Sequence, residues 1–222
     1  MALTKKDWQD VRPVSLKGHG VGKAMEAVSK INTRTVDGAI KGLAAIAELS
    51  DLLETAPIKD NTLPADFKAA VVSWKNALKR LLVEVQADLK SGIRAEANSE
   101  GDLEANRLVR EVLSIRSDVR DIEKVLPKKK TDPVAPAVLT KAKADYAKLD
   151  KAHDLVTKKI AGKDTEAGMR KYLAKHFSGY IAKGYIAVGD LPDPGYRDSL
   201  EAQAKEMKKE VEALGEDLKT RR

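Results

Sequence analysis

Cysteine is absent from this chain of 222 residues, which removes disulfides, thiolate nucleophiles and cysteine-based zinc or iron–sulfur sites from consideration. Histidine is scarce too: His19, His153 and His176 are the full set. No Glu stands three positions before any of them, so the Glu-x-x-His pairs of a di-iron bundle are missing, and Asp150 with His153 is the nearest approach. HExxH, GxSxG and EF-hand patterns do not occur either. The expectation is a chain with no metal, no cofactor, no catalytic residues and no small-molecule substrate.

Long apolar runs are also missing. Nothing approaches the roughly 18 to 20 consecutive apolar residues of a spanning helix, and the amino-terminal MALTKKDWQDVRPVSLKGHG lacks a continuous apolar stretch. A cytoplasmic location is expected, with signal-independent export left open. Aromatic residues make up only 4% of the chain, whereas Ala, Leu, Lys and Glu recur throughout, a mixture that favours helix over strand. At 42% hydrophobic and 34% charged, the composition is that of a folded, surface-rich protein rather than a disordered polymer.

Apolar residues recur every three or four positions in five to six segments. The expected fold is therefore all-α, an elongated up-and-down bundle of long amphipathic helices. Residues 1–19 mix charge with Pro13 and Gly18 and read as an arm, pinned by Trp8. A first helix is expected from about residue 20 to Thr55, ended by Pro57, with Gly38 and Gly42 marking either a close helix approach or a bend near Thr33, Thr35 and Val36. A second opens at Pro64, carries Phe67, Val71, Trp74, Leu78, Leu81, Val85 and Leu89, and ends between Gly92 and Asn98; Ser99 and Asp102 then form a weak capping signal for a third. Segments 20–126 and 137–222 are separated by the Pro- and Lys-rich linker 127–136 and are expected to pack as one domain.

The third and last helices carry a strict alternation of four- and three-residue steps, the seam of a coiled coil or tight bundle. In the third it is Leu108, Val112, Ile115, Val119, Ile122 and Leu126; in the last, Leu200, Ala204, Met207, Val211, Leu214 and Leu218. These seams can pair with each other or with a second copy of the chain. A fourth helix is expected over 136–161 with Gly162 as its cap, and a fifth over 165–188, capped by Asp164 and closed by the LPDPGY turn.

The net charge of +7 resides in one region: residues 128–190 hold 14 Lys or Arg against 7 Asp or Glu. Its fifth helix interleaves Arg170, Lys171, Lys175 and Lys183 with Tyr172, His176 and Tyr180. Basic and aromatic side chains so mixed can grip phosphates, bases or lipid headgroups; equally, Leu173, Phe177 and Ile181 can be core and the tyrosines half-wet. Lys128, Lys129 and Lys130 add charge to the same half. The stretch from Lys17 to Ala24 resembles a phosphate loop only in Gly22 and Lys23, lacking the first Gly and the Ser or Thr, and reads as a flexible helix start.

Two functions follow as expectations. The first is a non-enzymatic scaffold or adaptor that binds protein partners, or itself, through long helix faces. The alternative is an anion-binding module that attaches to nucleic acid or an anionic membrane through residues 128–190.

Overall fold

A computed structural model describes residues 21–55 and 65–221. These fold as helices, with no strand among the described residues: α1 (Val21–Ser29), α2 (Val36–Thr55), α3 (Ala65–Lys124), α4 (Pro136–Ile160), α5 (Glu166–His176), α6 (Ser178–Ala182) and α7 (Tyr196–Thr220). No described helix is long and apolar enough to cross a membrane. The arm with Trp8 and His19, the glycine stretch before α1, the boundaries at Pro57 and Pro64 and the side chain of Phe67 lie outside the described residues. The chain divides into two compact units, the first taking the described residues up to Ala95 with Gly184–Ile186, the second Glu96–Lys183 with Ala187–Arg221. The division falls inside α3, and the Pro- and Lys-rich segment after Pro127 joins two helices of the second unit.

In the first unit the expected single helix over 20–55 is two helices, because residues 30–35 turn. Asn32 Oδ1 accepts from the Arg34 amide at 3.1 Å, and Thr35 Oγ1 accepts from the Gly38 amide at 3.1 Å, capping α2. Short polar side chains thus take over backbone donors that a continuous helix would have used. The break resets the helical phase, so Val36, Ala39, Gly42, Ile46, Leu49 and Leu53 are buried, whereas Ile40 and Leu43 are only half-buried. Helix α2 runs antiparallel to α3: a Cβ at Gly42 would lie 3.5 Å from Val85 Cγ1, and one at Gly92 would lie 3.1 Å from Val36 Cγ2.

Gly38 serves the bend, since a Cβ there would strike the carbonyl oxygen of Asn32 and come within 2.9 Å of Thr35 Oγ1. In an open helix Gly to Ala stabilises by about 1 kcal/mol. Here the obstacle is backbone, which cannot rotate aside, and forced overpacking costs about 1–3 kcal/mol. Gly38→Ala is therefore expected to lower stability in urea titration by about 1–2 kcal/mol, the reverse of its sign in an exposed helix. An unchanged or raised midpoint would remove the steric account of the bend.

The expected second and third helices are one, unbroken from Ala65 to Lys124. No proline lies between Pro64 and Pro127, and Gly92 and Gly101 are isolated among good helix formers. A lone glycine costs about 1 kcal/mol and does not terminate a helix as proline does. Ser99 and Asp102 are consequently mid-helix, and the Asn98 side-chain Nδ2 donates to Asp102 Oδ2 at 3.4 Å.

In the second unit, three links tie α3 and the residues after it to α7 and its flanks. The Tyr196 amide reaches Asp102 at 3.5 Å, Arg116 Nε donates to Glu210 at 2.8 Å and Arg221 Nη2 donates to the Pro127 carbonyl at 2.9 Å. Each spans the same 94 residues; a constant separation means parallel helices. Helix α4 runs the other way, with Lys159 on Glu111 at 2.7 Å and, just past its end, Lys163 on Glu104 at 2.6 Å. Leu108, Val112, Ile115, Val119 and Ile122 on α3, and Leu200, Met207, Val211, Leu214 and Leu218 on α7, are all buried within the single chain. Offered to a second copy, they would first have to leave this core.

The expected fifth helix is also shorter than 165–188. It is capped by Thr165 rather than Asp164, the Gly168 amide donating to Thr165 Oγ1 at 3.1 Å. It gives way at Phe177 to α6, which ends before Gly184 at φ +72°. That left-handed conformation favours glycine and stops the helix. Gly162, at φ +84°, plays the same part after α4.

Candidate partner-binding groove

The basic aromatic segment is fastened to α3 by acids. Glu96, Glu100 and Glu104 follow one another at four-residue steps, and such steps keep side chains on one helix face. Glu104, only 7% exposed, accepts from Arg107 Nε and Nη2 at 3.0 Å each and from Lys163 at 2.6 Å. Burial pushes its carboxyl up, but these cationic donors outweigh burial and hold it below the ordinary value of 4.5. Lys163 Nζ also lies 4.8 Å from the centre of the Tyr172 ring, within cation–π range. The Tyr172 hydroxyl donates to Glu100 Oε1 at 2.8 Å, and His176 Nδ1 stands 3.7 Å from the same oxygen. Burial first, and then the hydrogen bond to a carboxylate, push the Tyr172 hydroxyl far up and keep it a donor.

Beside this network α3 and α5–α6 enclose a groove of about 600 Å³. Its α3 wall is Glu96, Ser99, Glu100 and Leu103; the facing wall is His176, Phe177, Gly179, Tyr180 and Lys183. Phe177 is buried and Tyr180 half-buried, whereas Leu103 is 65% exposed. His176 and Phe177 stack obliquely at 5.1 Å and Phe177 and Tyr180 at 6.2 Å, giving the groove a partly aromatic lining between charged rims.

The candidate residues read from sequence are only partly brought together. Tyr172, His176, Tyr180 and Lys183 gather around the groove and the network beneath it, whereas Arg170 pairs with Glu166 on its own helix at 2.7 Å and Lys171 and Lys175 are exposed there. Leu173 and Phe177 are core. Lys128, Lys129 and Lys130 sit elsewhere, exposed beside the end of α7, where Lys130 Nζ is 3.5 Å from Asp217. Glu100 and Lys124 are separated along α3 by a helical rise of about 35 Å, so the two lysine clusters occupy opposite ends of this unit. Glu96, Glu100 and Leu103 are not singled out by the sequence, and Ser99 only as a capping signal. Their signal is the stripe of acids together with a Leu off the buried phase of the helix, but it falls where a helix break was expected. Among the described residues, no group of three or more His, Cys, Asp or Glu is placed to hold a metal ion.

Comparison of the chain with protein families, with curated proteins and with solved structures finds no match.

Proposed function

We propose that this protein is a non-enzymatic helical adaptor that binds a protein partner in the groove between α3 and α5–α6. The observation that carries the reading is Leu103, a large apolar side chain left 65% exposed beside the aromatic floor of Phe177 and Tyr180. Partner sites combine an apolar centre with a polar rim, and the groove has both. The seams of α3 and α7 support partner binding over self-association, because their side chains are already spent on the chain's own core.

The alternative, attachment of residues 128–190 to nucleic acid or an anionic membrane, draws on exposed Lys171, Lys175 and Lys183. Two features count against it: the distance to Lys128–Lys130, and the carboxylates of Glu96 and Glu100 on the facing wall. Phosphate binding would reveal itself by a steep fall in affinity with salt.

A photo-crosslinking amino acid in place of Leu103, with the same group in place of Leu155 as an exposed control on α4, tests the adaptor reading in lysate. Leu155 is 61% exposed and remote from the groove lining. A discrete protein adduct is expected from position 103 and not from 155. Equal and diffuse labelling at both positions would sink the reading.

A further inference from the structure

The groove also carries an indication of which partner it takes, on the adaptor reading just given. We infer that its occupant is a cationic protein segment, with one aliphatic or aromatic anchor and a Lys or Arg beside it on the side that faces α3. The anchor is required by Leu103 and Phe177, which offer apolar surface and no hydrogen-bonding group. The cation is favoured by Glu96 and Glu100, one helical turn apart along the same wall. Glu100 Oε1 already accepts from Tyr172, which fixes that carboxylate in the groove wall, and Glu96 is exposed. Lys183 on the opposite rim sets the polarity: the segment's basic residue lies toward α3, and any acidic residue lies toward α6.

The charge of this wall is opposite to that of the chain, which carries +7 overall. A polyanion attracted by that net charge would meet Glu96 and Glu100 before its bases could stack on Tyr180, so the site disfavours nucleic acid. Complementary rim charge contributes mainly specificity and rate of encounter, and the apolar anchor contributes most of the affinity.

A random peptide display selected on the full chain, followed by anisotropy titration of the enriched peptides, tests this. Wild type, Leu103→Asp, Glu96→Lys and Lys183→Glu are compared; all three sites are exposed, so circular dichroism should report an unchanged fold. The expected peptides carry an apolar anchor next to Lys or Arg. Leu103→Asp should weaken them by about tenfold or more, as loss of an anchor does, and Glu96→Lys by about three- to fivefold, as loss of an exposed ion pair does. Peptides that depend on Leu103 but are neutral or acidic, and indifferent to Glu96→Lys, would overturn the cationic partner and leave the groove reading standing. Selections that yield no peptide sensitive to Leu103→Asp would overturn both.

Discussion

Val119→Glu combined with Ile122→Glu is expected to unfold the second compact unit of the chain. Val119 is 1% and Ile122 7% exposed, and both belong to the apolar stripe that α3 buries in this unit. A carboxylate buried there either stays charged at a cost of several kcal/mol or takes up a proton. Two such insertions, each also deleting an aliphatic side chain, are of the same order as the roughly 5–15 kcal/mol that holds a whole domain together. The measured result should be a large loss of helical dichroism at neutral pH, with new protease cleavage after residue 96. Leu113→Glu is the matched control: Leu113 is 45% exposed on the same helix, and a surface substitution of this kind changes stability by about 0.5 kcal/mol or less. The experiment also separates two readings of the seam. A stripe that served only to join two copies would lose association on mutation and keep its helix. A double variant with wild-type melting and altered oligomeric state would therefore overturn the assignment of these side chains to the chain's own core.

Periodicity identified the buried faces of the two strict seams, and the reason is local. Both strict seams, Leu108 to Leu126 and Leu200 to Leu218, are buried along their length apart from Ala204, which is half-buried. What periodicity leaves out is the neighbour. That α3 and α7 run parallel at a fixed separation of 94 residues depends on the path of the chain through α4–α6, which no single segment encodes. The helix break expected near Gly92–Asn98 has a related cause. From Val85 through Leu89, Ile93, Ala97, Gly101 and Ala105 the buried positions advance by four each time, so the stripe drifts around the helix instead of holding one side. A reading that looks for a single face takes drift for termination. Gly92, one bound of the expected helix end, and Gly101 make room for side chains: a Cβ at Gly92 would press on Val36, and one at Gly101 would strike the Pro194 ring.

The groove was half legible for similar reasons. His176, Tyr180 and Lys183 stand out because basic and aromatic residues are concentrated in a chain poor in aromatics. Glu96, Glu100 and Leu103 carry no such mark, and they join the site only through pairings some 70 residues apart, such as Tyr172 with Glu100. The missing half adds acidic groups to the chemical reading. Taken alone, the fifth helix offers basic and aromatic side chains; in the fold, its aromatic side chains border a wall that carries Glu96 and Glu100.

Glu104 supplies the second large effect, and its sign depends on pH. Its carboxylate is buried to 7% exposure, with Lys163 a quarter exposed and Arg107 more than half exposed. The Arg107 pair is therefore largely screened by water, and the Lys163 pair carries most of the interaction. Glu104→Gln keeps the shape but removes the charge, leaving Lys163 over the Tyr172 ring without its anion. A charge-assisted hydrogen bond of this kind contributes about 1.5–3 kcal/mol, and a loss of about 2 kcal/mol at pH 7 is expected. The folded carboxyl lies below its ordinary value of 4.5, so the unfolded chain takes up the proton first as pH falls. The stabilisation is then complete above the ordinary value and is lost as pH falls below it through the depressed folded one. Urea titrations of wild type and Glu104→Gln should therefore differ most at pH 7 and 6 and converge below pH 4. Glu210, also held down by its hydrogen bonds from Arg116, is present in both proteins and largely cancels in the difference. A gap that stays constant from pH 7 to pH 3 would show that shape rather than charge at residue 104 fastens the end of α4 to α3.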